Sequence, residues 1–168
     1  MEYVLVSGCL LGQHVRYNGI DKEYDSPELR RWLSEGRVIA VCPEVAAGLP
    51  VPRPAAETTG GVDGLEVHAG KARVIDGNGQ DMSAAFIAGA EKVLREAQRR
   101  GVRVAVLKDG SPSCGSNYIY DGSFTSRRVP HAGVTAALLK TVGITVFGET
   151  QFAEANALIE RLEKHGAV

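Results

Sequence analysis

Three cysteines stand at positions 9, 42 and 114, each in a short stretch suited to a turn: "SGCLLG", "CPE" and "SPSCG". An isolated cysteine usually packs as a small hydrophobe, but the glycine, proline and polar neighbours of Cys9, Cys42 and Cys114 argue for ligands instead. No pair is spaced C-x-x-C, and the long separations match no zinc-ribbon pattern. Soft thiolates suit zinc, copper(I) or an iron-sulfur cluster. Tetrahedral zinc and a cubane cluster each take four ligands, so three leave a position open, and an open position marks a catalytic centre more than a structural one. The residues alone leave the metal undecided. A three-cysteine zinc hydrolase acting on a heterocycle stays open, as does a non-catalytic redox-sensing or nucleotide-binding module.

Other groups that could do chemistry lie in the same stretches. Arg16 and Arg53 fall in the loops that follow the first two cysteines, and their planar forks suit a base carbonyl, a phosphate or a carboxylate such as Glu57. Tyr17, Tyr118 and Tyr120 are candidates to stack on a flat ring. Glu44 and Ser111 each have an ordinary reading, as the first-turn acid of a helix and as a turn residue before Pro112. His14, His68, His131 and His165 occur singly, without metal-ligand spacing. Neither G-x-x-x-x-G-K-[ST] nor G-x-G-x-x-G is present, which argues against a nucleoside triphosphatase or a dinucleotide-dependent dehydrogenase.

The elements that must position these residues read as alternating strands and helices. "YVLVS" (3–7), "RVIAVC" (37–42), "VRVAVLK" (102–108) and "ITVF" (144–147) are continuous apolar runs, the pattern of strands covered on both faces in a parallel sheet. Helices are expected at 26–36, where Ser26 caps and Gly36 stops, at 81–100, at 133–142 and in the C-terminal stretch. The expected fold is therefore α/β, a single-domain three-layer sandwich, Rossmann-like, with a mostly parallel central sheet flanked by helices. Residues 58–79 break the alternation. They read as a glycine-rich loop and a small β-hairpin of "LEVH" with "ARVID", an edge decoration or a lid over a site. With these strands, all three cysteines fall at strand carboxyl ends, where ligands of open parallel sheets bind.

Composition sets the outer limits. The chain has 168 residues, 44% of them hydrophobic, enough for one core and short for two. A formal charge of -1 provides no global field for a polyanion, although "RRGVR" (99–103) and "SRR" (126–128) are local basic runs. No segment has the ~20 apolar residues of a membrane span, and the first residues do not resemble a signal peptide. The odd, low cysteine count points to a reducing, cytoplasmic setting.

Taken in order, "CLLGQHVRYNG" (9–19), "CPEVAAGLPVPRPAAE" (42–57), "KDGSPSCG" (108–115) and "YDGSF" (120–124) resemble the segments of a bacterial family catalogued as a domain of unknown function. That family includes the thiouracil desulfidases and relatives that remove sulfur from 4-thiouridine. The resemblance runs from about Met1 to about Phe147. It implies a 4Fe-4S cluster, oxygen-sensitive, held by Cys9, Cys42 and Cys114, with one iron open to the sulfur of a thiolated base. It also implies a catalytic glutamate at Glu44 and a serine at Ser111; Arg16 and Arg53 are substrate-binding candidates by their chemistry alone. The expected reaction is hydrolytic, non-redox replacement of sulfur by oxygen in a thiolated pyrimidine, sulfide leaving on the open iron. The substrate could be a thiolated base, a nucleoside or a thiolated transfer RNA. Asn18, Ala47 and the stretch 129–135 depart from the family pattern, and the departures bear on the pocket wall more than on the cluster.

Overall fold

A computed structural model describes residues 1–14, 16–19 and 24–166; Val15, within the first motif, lies outside the described residues. Four strands, β1 (Val4–Ser7), β2 (Val38–Val41), β5 (Val104–Leu107) and β8 (Thr145–Gly148), form one parallel sheet in the order β2-β1-β5-β8. Val4 aligns with Val38 on one side and Val104 on the other, and Val104 with Thr145. The four apolar runs are these four strands, each within two residues of its expected bounds.

Strand alternation sorts the core into two layers. Val4, Val6, Val104 and Val106 face α1 (Pro27–Ser34) and α6 (Phe152–Gly166), packing with Trp32, Phe152 and Ile159. Leu5, Ala105 and Leu107 face the opposite way, toward Val93 and Ala97 of α4 (Ser83–Arg99) and Ala137 and Leu139 of α5 (Val134–Thr141). Both faces of the sheet are covered, which is why its strands carry no polar alternation. Ser26 caps α1 by accepting from the Leu29 N–H at 3.0 Å, with Pro27 at the first helical position.

The segment 58–79 differs from expectation. "LEVH" is not a strand: Gly64–His68 form the short helix α3, opened by the Asp63 carboxylate accepting from the Leu65 N–H at 3.0 Å. Four residues are too few for periodicity to separate helix from strand, and Asp63 just before them acts as a helix N-cap. "ARVID" does yield a strand, β4 (Val74–Asp76), but its antiparallel partner is β3 (Ala56–Thr58), with Ala56 opposite Asp76. A second small antiparallel pair joins β6 (Ile119–Tyr120) to β7 (Arg128–Val129). Beneath α3 and β4 a satellite core of Val67, Val74, Phe86, Ala90 and Val134 ties this region to α4 and α5.

Candidate active site at the carboxyl edge of the sheet

Each cysteine sits where a strand stops. After β1 the chain enters a tight 3₁₀ turn, Gly8–Leu11, with Cys9 buried in it, and Gly12 closes the turn at φ +86°. After β2, Cys42 is the N-cap of the short helix α2 (Pro43–Ala46), beside the backbone N–H groups of Val45 and Glu44 that favour its thiolate. α2 can lie against α4 because residue 89 is glycine: a Cβ there would stand 2.1 Å from the Pro43 carbonyl oxygen.

After β5, the loop 108–115 carries Cys114. Ser111 shapes this loop, its Oγ accepting from the N–H of Ser113 at 3.1 Å and of Cys114 at 3.0 Å. The loop also closes the start of α5. Its Pro112 carbonyl accepts from the Val134 N–H at 2.8 Å and its Ser113 carbonyl from Thr135 at 2.8 Å, so the first N–H groups of the helix, which have no partner within it, are satisfied by the cysteine loop. Gly133 permits the contact, since a Cβ there would stand 2.5 Å from the Ser113 carbonyl carbon.

These turns surround a cavity of about 470 Å³ lined by Cys9, Cys42, Cys114, Glu44 and Ser111. Arg16 and Arg53 line it too, so the three cysteines, the carboxylate, the serine and both arginines border one space. None of the cysteines is in a disulfide. Burial pushes the Cys9 thiol up to about 11, with Arg16 and Lys108 pulling the other way. Burial also raises Cys42, opposed by the N–H groups of Val45 and Glu44, and raises Cys114 further, with the nearby charges of Cys42, Glu44 and Cys9 adding to the effect. Three thiols so placed become thiolates only beside strong positive charge, which bound metal supplies.

Among the described residues no three His, Cys, Asp or Glu side chains are gathered for a single metal ion. On zinc, each sulfur would lie ~2.3 Å from the same centre; a cubane offers a separate iron corner to each thiolate and needs a wider triangle. The donor set is all soft sulfur around one cavity, the ligand type of zinc and iron-sulfur centres alike.

Glu44 and Arg53 meet as an ion pair. Arg53 Nε donates to Glu44 Oε2 at 2.8 Å and Nη2 donates to the same oxygen, while Nη1 donates to the Pro50 carbonyl at 3.1 Å. The partner the sequence offered for such an arginine, Glu57, is used otherwise. Its Oε1 accepts from the N–H of Gly122 at 3.0 Å and of Phe124 at 3.2 Å, anchoring the "YDGSF" loop, from which Tyr120 borders the cavity. Arg16 lies over the Tyr17 ring at 5.7 Å from its centroid. Tyr17 reaches the cavity wall as well, whereas Tyr118 packs edge-on against Tyr120 and beneath Arg128.

Several contributors were not singled out from the sequence. Lys108 pairs with Glu149 at 2.9 Å, and Asp109, buried, accepts from the N–H groups of Ser116 and Asn117 at 2.8 Å, so the start of the cysteine loop is fixed to the end of β8. Their signal was the "KDG" preceding the serines. Leu49, Met82 and Phe86 supply an apolar wall, and Glu57 and Asp76 bring β3 and β4 to the cavity rim. Within the 58–79 segment, Asp76 borders the cavity.

Fold and site together define an α/β enzyme that presents three thiols and a carboxylate to one pocket at the carboxyl edge of a parallel sheet. The chain belongs to the 2-thiouracil desulfurase family, whose sequence model matches residues 4–151. Among solved structures it is similar to a 4Fe-4S-dependent thiouracil desulfidase, TudS, with 44% identity and a TM-score of 0.87, covering 95% of this chain and 99% of that one. Among curated proteins it is 38% identical over 148 residues to the uncharacterized protein YbbK of Bacillus subtilis, covering 88% of this chain and 96% of the relative.

Proposed function

We propose that this protein removes sulfur from a small thiolated pyrimidine by hydrolysis, C=S and water giving C=O and hydrogen sulfide with no net electron transfer. The observation that carries the reading is the convergence of Cys9, Cys42, Cys114 and Glu44 on one cavity from three strand ends. Its likeness to TudS adds weight. In this reading the three cysteines hold a 4Fe-4S cluster, which when bound supplies an iron corner without a protein thiolate, a soft Lewis acid for the sulfur of the substrate.

The chain's own residues do the rest. Glu44 takes a proton from the attacking water as general base and returns protons toward the departing sulfur. Ser111 accepts two backbone N–H groups at its oxygen, which leaves its own O–H to donate to the water or to the base. Leu49, Met82 and Phe86 seat the flat ring and keep bulk water out. A pocket of about 470 Å³ suits a base or nucleoside, and three thiols of this kind suit the reducing environment of a cytoplasm.

The test is anaerobic incubation of the cluster-loaded protein with 2-thiouracil in heavy-oxygen water. One sulfide per uracil formed, with the label in the uracil, is expected. Glu44→Gln is expected to keep its iron and lose ~10²–10⁴-fold in kcat, whereas serine at any of the three cysteines lowers the iron content. Iron-loaded protein that releases no sulfide from thiouracil or thiouridine contradicts the proposal.

A further inference from the structure

Arg53 borders the cavity, which suggests a substrate ligand, yet each of its side-chain nitrogens donates to a protein oxygen. Two of its nitrogens converge on one carboxylate oxygen, Glu44 Oε2, and a third is spent on the Pro50 carbonyl. The pair is shielded, with the Arg53 side chain 7% exposed and that of Glu44 13%. An exposed ion pair would leave the carboxylate free to swing, but here both partners are largely enclosed. Two donors from one planar fork hold the position of that oxygen more directionally than a single ammonium would. Both contacts fall on Oε2, and Oε1 carries no hydrogen bond from any described residue. Oε1 is therefore the oxygen left to meet a water in the cavity.

We infer that Arg53 is a positioning residue: its fork holds Oε2 of Glu44 so that Oε1 faces the attacking water, and it does not bind substrate. The inference rests on the proposed role of Glu44 as base. A base must be held in a narrow orientation to work, and misplacement by about 1 Å costs ~10²-fold in rate. The backbone of the same residue supports the geometry, because the Arg53 N–H donates to the Tyr17 carbonyl and joins its segment to the first cysteine loop.

A double-mutant cycle on the cluster-loaded enzyme tests this, using Arg53→Gln, Arg53→Lys, Glu44→Gln and the double variant Glu44→Gln/Arg53→Gln. Arg53→Gln is expected to keep its iron and sulfide content, lower kcat by ~10²-fold and leave KM unchanged. Arg53→Lys, with one point donor, is expected to fall between it and wild type. In the Glu44→Gln background, Arg53→Gln should cost nothing further, since the group it orients is gone. A readout independent of turnover is the Arg53 Nε–H resonance, slow to exchange with solvent in wild type and fast in Glu44→Gln. A raised KM with unchanged kcat in Arg53→Gln would make it a substrate ligand and overturn the inference. So would full activity in Arg53→Lys, an undiminished loss in the Glu44→Gln background, or iron loss in Arg53→Gln. If Glu44→Gln itself stays fully active, the base assignment fails instead, and the two failures are told apart.

Discussion

Cys9, Cys42 and Cys114 are reactive by type and held back by place. Burial raises all three thiols, and for Cys9 the shift runs from 9.0 to about 11. Between those values the folded chain keeps a proton that the unfolded chain releases, so stability complete below 9.0 is lost as pH rises toward 11. Cluster-free protein is accordingly expected to show a falling thermal midpoint over that window, and Cys9→Ala to flatten the fall; a midpoint rising with pH would contradict the burial argument. Bound iron, in the proposed reading, would reverse the balance by stabilising the thiolate. The gathering of the cysteines at strand ends was legible in the sequence, because turn residues flanked each one, whereas Glu44 was singled out by the family resemblance. What was not legible is which carboxylate meets which arginine. Arg53 is close in sequence to both Glu57 and Glu44, and only the fold of 42–57 puts its fork on Glu44 while Glu57 serves the loop at 122–124.

At the scale of elements, the third cysteine depends on a helix that contains no candidate site residue. The loop 108–115 lends carbonyls to the start of α5, and Gly133 is the point of closest approach. Gly133 has φ -72°, which any residue adopts, so a substitution there meets a contact problem and no backbone strain. Gly133→Ala is expected to destabilise the fold by about 1–3 kcal/mol, the usual cost of overpacking, and to lower the iron bound, because the displaced backbone is that of Ser113, next to the ligand. Urea unfolding and iron analysis measure the two effects; an unchanged iron content would mean that the loop keeps its shape without α5. The strands and long helices followed from apolar runs and caps. The short segments did not, since "LEVH" satisfies a strand pattern locally and becomes α3 only through Asp63 and the packing of Val67 against α5.

The whole molecule is polarised. One end of the sheet gathers the thiols, and the other is closed by ion pairs such as Arg37 with Glu163 at 2.8 Å and with Glu35 at 2.6 Å. No helix among the described residues is long and apolar enough to cross a membrane. The formal charge of -1 gives no overall pull toward a polyanion. Turnover of a small thiobase is therefore expected to be nearly insensitive to salt, whereas a substrate held by phosphate contacts would lose affinity steeply as salt rises; kcat/KM across a salt series decides between them. The central claim is a cluster on three cysteines with its remaining iron turned toward Glu44 and the pocket. It is tested most directly by Mössbauer spectra of the anaerobically isolated protein before and after addition of 2-thiouracil. The account predicts one iron site distinct from the others, whose signal alone changes when the thiobase is added. Equivalent irons that ignore the thiobase, or a protein that binds no cluster at all, would contradict it.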